Sequence, residues 1–120
     1  MYRQNLKERK KKFAISLLKY LEKTPHKGPY FSINYQLSRS AMSVGANYRA
    51  ALRAKSTADF INKLKIVEEE CDEAMYFLEI LQELLPEHKK ELDGFHQEAN
   101  ELLSITVASI KTARNNNPKR

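Results

Sequence analysis

Between residues 58 and 85 the chain runs for twenty-eight positions without Gly or Pro. Apolar side chains recur there at every third or fourth place: Phe60, Leu64, Val67, Cys71, Met75, Leu78 and Leu85. An α-helix brings such positions onto one face. Ile66, Phe77, Ile80 and Leu84 form a second apolar stripe on another face, broken by Glu73. A helix of a lone up-down bundle keeps one face wet, so two stripes predict burial on two sides.

Three more segments show the same period. Residues 4–23 place Leu6, Phe13, Leu17, Tyr20 and Leu21 on one face. The stretch "TPHKGPYFS", with two prolines and a glycine, ends that helix. The next begins at Ser32 or Asn34, both good N-caps, and runs to residue 55. Ser56 or Thr57 caps the long third helix, with Asp59 in its first turn. Pro86 stops it. Residues 87–114 then carry Leu92, Phe95, Ala99, Leu102, Leu103, Thr106, Ile110 and Ala113 on one face, with Gly94 as a tolerable interruption. The fold class is therefore all-α: one antiparallel up-down-up-down four-helix bundle over residues 1–114, and a disordered tail at 115–120.

Bulk properties narrow the setting. No apolar run approaches a membrane span, and no h-region follows the basic start "MYRQNLKERKKKF". A lone cysteine, Cys71, forms no internal disulfide, which fits the cytoplasm. The net charge of +6 is unevenly spread. Residues 1–29 hold nine Lys/Arg against two acids, residues 30–57 four against none, and residues 58–86 two against eight. Such polarity serves either pairing within an assembly or a basic surface for a polyanion.

The acid-free second helix carries two arcs. Leu37, Ala41, Val44, Tyr48, Ala51 and Leu52 make an ordinary core face, where Tyr48 reads as packing. Arg39, Arg49 and Arg53 lie roughly opposite, with Lys55 just beyond. These arginines can pair with Glu68, Glu69, Asp72 or Glu73 of the third helix, in cis or across a subunit interface. Equally, they can contact nucleic acid. In "KERKKK", Lys10, Lys11 and Lys12 offer phosphate contacts, against the plainer reading of a solvated helix face.

Catalytic patterns come up empty. There is no GxGxxG, no GxxxxGK[ST], no HExxH, and no second cysteine for a zinc site. The di-iron bundles need Glu-x-x-His pairs, which this chain lacks. Glu68, Glu69, Glu70, Asp72 and Glu73 spread around most of the helix circumference, so no metal set converges. His26, His88 and His96 sit in or beside loops without an acid–nucleophile arrangement. No metal, no cofactor and no enzymatic activity are expected, and Cys71 reads as a small core residue.

The segment "QLSRSAMSVGANYRAALRAKSTADFINKLKIVEEECDEAMYFLEIL" resembles the central signature of the bacterial 23S rRNA intervening-sequence proteins. Its elements here are Gln36, Arg39 and Ser40, the small-residue run from Gly45 to Asn47, Phe60, Ile61 and Leu64, the acids from Glu69 to Glu73, and Phe77-Leu78. The likeness is close over residues 30–85 and rests on pattern alone in the flanking helices. Two positions depart from it: Ala50 stands where one branch has Glu, and Phe77 replaces Trp. The resemblance implies an antiparallel four-helix bundle assembling into a ring-shaped homopentamer without enzymatic activity. It also implies similarity to the nucleic-acid-binding accessory protein of diversity-generating retroelements. Family members are often encoded within insertions in 23S rRNA genes.

The expected function is a non-enzymatic homo-oligomer that binds nucleic acid, RNA above all, through Lys10, Lys11, Lys12, Arg39, Arg49, Arg53 and Lys55 with little sequence specificity. Ile66, Glu73, Phe77, Ile80 and Leu84 are its expected subunit interface. The alternative is an adaptor oligomer that binds a protein partner and spends its charges on assembly. No membrane partner is expected.

Overall fold

The computed structural model describes residues 2–116, with side chains from residue 5 onward. Its four helices are α1 (Tyr2–Leu21), α2 (Pro29–Leu52), α3 (Thr57–Leu84) and α4 (Lys89–Asn115), and the described residues contain no strand. The expected helices are all present. Their ends differ where local backbone chemistry overrides the apolar period.

The start of α2 is the clearest case. Helix α1 closes through the Thr24 side chain, which donates to the Leu21 carbonyl at 2.9 Å. Asn34 donates back to the Pro25 carbonyl at 2.9 Å, pinning the connection. Gly28 then turns the chain with φ +62°, a conformation that glycine adopts freely. Pro29 follows at the first helical position, where its fixed φ fits and its missing N–H is no loss. The helix thus starts ahead of Ser32 and Asn34, neither of which caps it. Its other end also falls short of residue 55, at Arg53, whose backbone N–H bonds the Ala50 carbonyl at 3.1 Å.

The α3 start agrees with the sequence: Ser56 is the N-cap and its hydroxyl accepts from the Asp59 N–H at 3.0 Å. Pro86 cannot extend α3 and opens a short 3₁₀ turn, Pro86–His88, that leads into α4. At the far end α4 takes in Asn115, the first residue of the expected tail; residues 117–120 of that tail lie outside the described part.

The core comprises Leu6, Phe13, Leu17, Tyr20 and Leu21 of α1, with Leu37, Ala41, Val44, Tyr48 and Ala51 of α2. From α3 come Ile61, Leu64, Val67, Cys71, Ala74, Leu78 and Leu81, and from α4 Leu92, Ala99, Leu102 and Ile110. Phe60 and Met75, expected on the apolar stripe of α3, are only partly buried. Helix α3 packs on both α2 and α4, which widens its buried stripe and brings Ile61, Ala74 and Leu81 inward.

Named contacts show that sequence-adjacent helices are antiparallel. Arg39 in α2 meets Glu73 late in α3, Gln82 of α3 meets Asp93 of α4, and Lys10 of α1 meets Tyr48 of α2. The helices α1 and α4 touch more sparsely. Arg9 bridges them to Glu98 at 2.7 Å and Glu101 at 2.6 Å. Tyr20 adds a 2.5 Å hydrogen bond to His88 Nδ1 and a ring contact with Phe95, centroids 5.3 Å apart.

Candidate nucleic-acid and assembly surfaces

The cations singled out in the sequence divide into three groups once they are placed. Lys10 is not a surface residue. It stands four positions after Leu6 and three before Phe13, on the buried face of α1, and is 1% exposed. Its ammonium lies over the Tyr48 ring, 3.9 Å from the centroid. Burial pushes its pKa down to about 8, and the nearby Arg9 pushes the same way while Cys71 and Glu98 act against the shift. A lysine so enclosed cannot reach a phosphate, which corrects the reading of Lys10 as a nucleic-acid contact. Lys11 and Lys12, one and two positions on, are exposed.

Arg39 belongs to the second group. It pairs with Glu73 and lies 3.6 Å from Glu70, both in α3 of the same chain. The Ser40 hydroxyl also donates to Glu73. Of the acids named for this pairing only Glu73 takes part, and Glu70 joins it. Glu68, Glu69 and Asp72 instead line a surface hollow with Leu103 of α4. Glu73 is thereby committed within its own bundle.

Arg49, Arg53 and Lys55 form the third group. All three are exposed, and no side-chain ion pair engages them among the described residues. They stand at the end of the bundle where α2 stops, α3 starts and α4 finishes. Two adjoining hollows open there, of about 400 and 390 Å³. Phe60, Ala113 and Asn116 line both.

A larger hollow of about 680 Å³ separates α1 from α4, with Phe13 and Phe95 on its walls and Lys12, Lys90 and Glu91 among its polar residues. It exists because α1 and α4 are held by the Arg9 and Tyr20 bridges rather than by continuous packing. Gly94 faces open space here: a Cβ would meet nothing within 4 Å.

On the outer side of α3, Ile66, Phe77 and Ile80 are partly buried, and Phe77 packs against the core. Leu84 is 46% exposed. Sequence reasoning missed four further exposed apolar residues. Phe31, Tyr35 and Met42 of α2, and Tyr76 of α3, are 67%, 62%, 50% and 58% exposed. Phe31 and Tyr35 line a hollow with Leu18 and Leu21 of α1. The α2 signal was present at i, i+4 spacing in Phe31 and Tyr35, hidden because that helix was started after Phe31.

The described residues contain no group of three or more His, Cys, Asp or Glu able to hold a metal. Burial raises the Cys71 thiol to about 12, which leaves it protonated and unreactive at neutral pH. His96 bonds Glu79 at 2.8 Å and His88 bonds Tyr20, each a structural contact. No helix is long and apolar enough to cross a membrane among the described residues.

Residues 4–108 match the family described as 23S rRNA-intervening sequence protein. A crystal structure of a protein of unknown function, from the S23 ribosomal protein family of Bacteroides thetaiotaomicron, is similar to this chain with a TM-score of 0.83. It is 30% identical and aligned over 92% of this chain and 99% of that one. Among curated proteins none matches the chain.

Proposed function

The chain belongs to the 23S rRNA-intervening sequence protein family, and from that premise we propose that it is a non-enzymatic, cytoplasmic homo-oligomer that binds RNA with little sequence specificity. The observation carrying this reading is the fate of the basic residues. One lysine is buried and one arginine is neutralised in cis, yet Arg49, Arg53 and Lys55 stay exposed without an ion pair among the described residues. Exposed cations of this kind supply the sequence-independent part of nucleic-acid affinity. RNA is favoured over DNA on the family's link to rRNA insertions.

The assembly proposed is a ring of five. Its support is the apolar side chains that α2 and α3 leave exposed, Phe31, Tyr35, Tyr76 and Leu84. Large apolar side chains left in water point to a contact surface, and a ring multiplies each weak cationic patch by its copy number. The same side chains are what an adaptor would use to hold a protein partner, and that is the second reading.

Binding of labelled RNA to the purified protein, measured across a salt series, tests the first reading. A steep fall of affinity with salt is expected. No binding to single- or double-stranded RNA at low salt leaves the adaptor.

A further inference from the structure

Two bridges hold α1 to α4, Arg9 with Glu98 and Tyr20 with His88, and between them the helices leave a hollow of about 680 Å³. That volume lies within the range of ligand pockets, roughly 300–1,000 Å³. Arg9, Phe13 and Ser16 of α1 line one side, and Gly94, Phe95 and Glu98 of α4 the other. Residues seven positions apart in a helix are about 10 Å apart along its axis, so the hollow is a trough. Phe13, itself 4% exposed, and the partly buried Phe95 supply its apolar lining. Gly94 keeps it open, since a Cβ there would meet nothing within 4 Å.

The charges around the trough do not cancel within the chain. Glu98 is engaged by Arg9 through two hydrogen bonds, of 2.7 and 2.8 Å. Glu91 stands in the first turn of α4, where an acid complements the helix dipole. Lys12 and Lys90 remain. Both line the trough, both are exposed, and neither forms an ion pair among the described residues. Lys90 also occupies the first turn of α4, where the dipole disfavours a cation. Its neighbour Lys89 is compensated by Asp93 at 2.6 Å, whereas Lys90 has no such partner. Neither helix stability nor a countercharge accounts for it.

An apolar trough edged by two unanswered ammonium groups is complementary to an amphipathic anion. The Phe95 ring already leans on Tyr20, centroids 5.3 Å apart, so the trough offers apolar surface to cover an aliphatic chain rather than a free face for stacking. We propose that the trough between α1 and α4 binds a small amphipathic carboxylate, with its aliphatic chain along Phe13 and Phe95 and its carboxylate on Lys12 and Lys90. The seat is separate from Arg49, Arg53 and Lys55, so the RNA-binding reading neither requires it nor fails with it.

Equilibrium dialysis of the purified protein with labelled decanoate and labelled decanol, below the concentrations at which either aggregates, tests the proposal. Decanoate is expected to bind about fivefold more tightly than decanol, the margin that two exposed ion pairs supply. Lys12→Ala/Lys90→Ala should abolish that margin and leave decanol binding as in the parent. Lys11→Ala/Lys111→Ala, which removes the same charge from outside the trough, should change neither. Gly94→Leu fills the trough and, favoured by helix propensity, keeps the fold. It should weaken both ligands by about tenfold or more, since excluding two methylene groups from an apolar site already costs that much. Photo-crosslinking of a diazirine-bearing decanoate to the unaltered protein locates the ligand without any variant, and the labelled peptides should carry Phe13 or Phe95.

Equal binding of decanoate and decanol by the parent, or equal losses from the two double variants, would overturn the proposal by removing Lys12 and Lys90 from recognition. A folded Gly94→Leu protein that binds like the parent, or crosslinks confined to other peptides, would place the ligand outside the trough. Absence of decanoate binding would overturn the proposal outright and leave RNA binding untouched.

Discussion

The ammonium of Lys10 lies 3.9 Å above the ring of Tyr48, and the lysine carrying it is 1% exposed. A charge taken so far out of water has a cost that the ring face offsets only in part. Cys71, Arg9 and Glu98 are the other titratable groups acting on it, and burial outweighs them all.

The consequence is a pH dependence of stability with a definite sign. The unfolded chain holds the Lys10 proton up to its ordinary 10.5, the folded chain only to about 8. Between those values the unfolded state binds more protons, so this group makes stability rise with pH. Below about 8 both states are charged and the penalty is present in full. Lys10→Met, similar in volume and without charge, should therefore be more stable than the parent at pH 7 by about 1–3 kcal/mol. The difference should shrink as pH approaches 10. Urea denaturation of both proteins at pH 7 and pH 10 measures it, and a difference that is equal at the two pH values would refute the buried charge.

Arg39 should behave unlike Arg49 and Arg53. Its removal takes the countercharge from Glu73, and from Glu70, whose Oε1 is buried without a hydrogen-bond partner. The pair is about two-fifths exposed on each side, so Arg39→Ala should lower stability by about 1 kcal/mol and no more. Its RNA salt slope should match the parent's. A reduced slope with unchanged stability would place Arg39 on the nucleic acid instead.

Assembly is best probed at Leu84, which is exposed and outside the core cluster, rather than at Phe77, which packs against the core. Light scattering should give the parent the mass of an oligomer, and Leu84→Glu should reduce it without changing the helical circular dichroism. A charge in an apolar interface without a partner costs several kcal/mol. A parent protein that scatters as a monomer at micromolar concentration would remove the ring.

Gly94 sits inside α4 beside open space, with no contact that a methyl group would disturb. Gly94→Ala should raise stability by about 1 kcal/mol through helix propensity alone. Thermal denaturation checks it, and a loss of stability would mean that the hollow between α1 and α4 is filled in solution.

Much of the fold follows from spacing alone. Helix number, and most of the residues each helix buries, come from the 3.6-residue period, because that period and the positions of Pro and Gly depend only on neighbours in the chain. Ser56, Pro86, Tyr48 and Cys71 all stand where local chemistry places them. The start of α2 was legible in principle, since Gly28-Pro29 is a turn followed by a favoured first helical position. It was obscured by two residues, Ser32 and Asn34, that resemble caps.

The site was much less legible, because a charge in a sequence does not disclose its environment. "KERKKK" reads as one basic run, yet the helix turns Lys10 inward while leaving Lys11 and Lys12 in water. Only the approach of α2 puts Tyr48 over Lys10. Arg39, Arg49 and Arg53 share one stripe, but among the described residues acids of α3 pair with the first alone. The depression at the end of the bundle needs Phe60 of α3, Ala113 of α4 and Lys55 of the α2–α3 connection to meet. Ala113 is distant from Lys55 and Phe60 along the chain, and only packing brings it beside them.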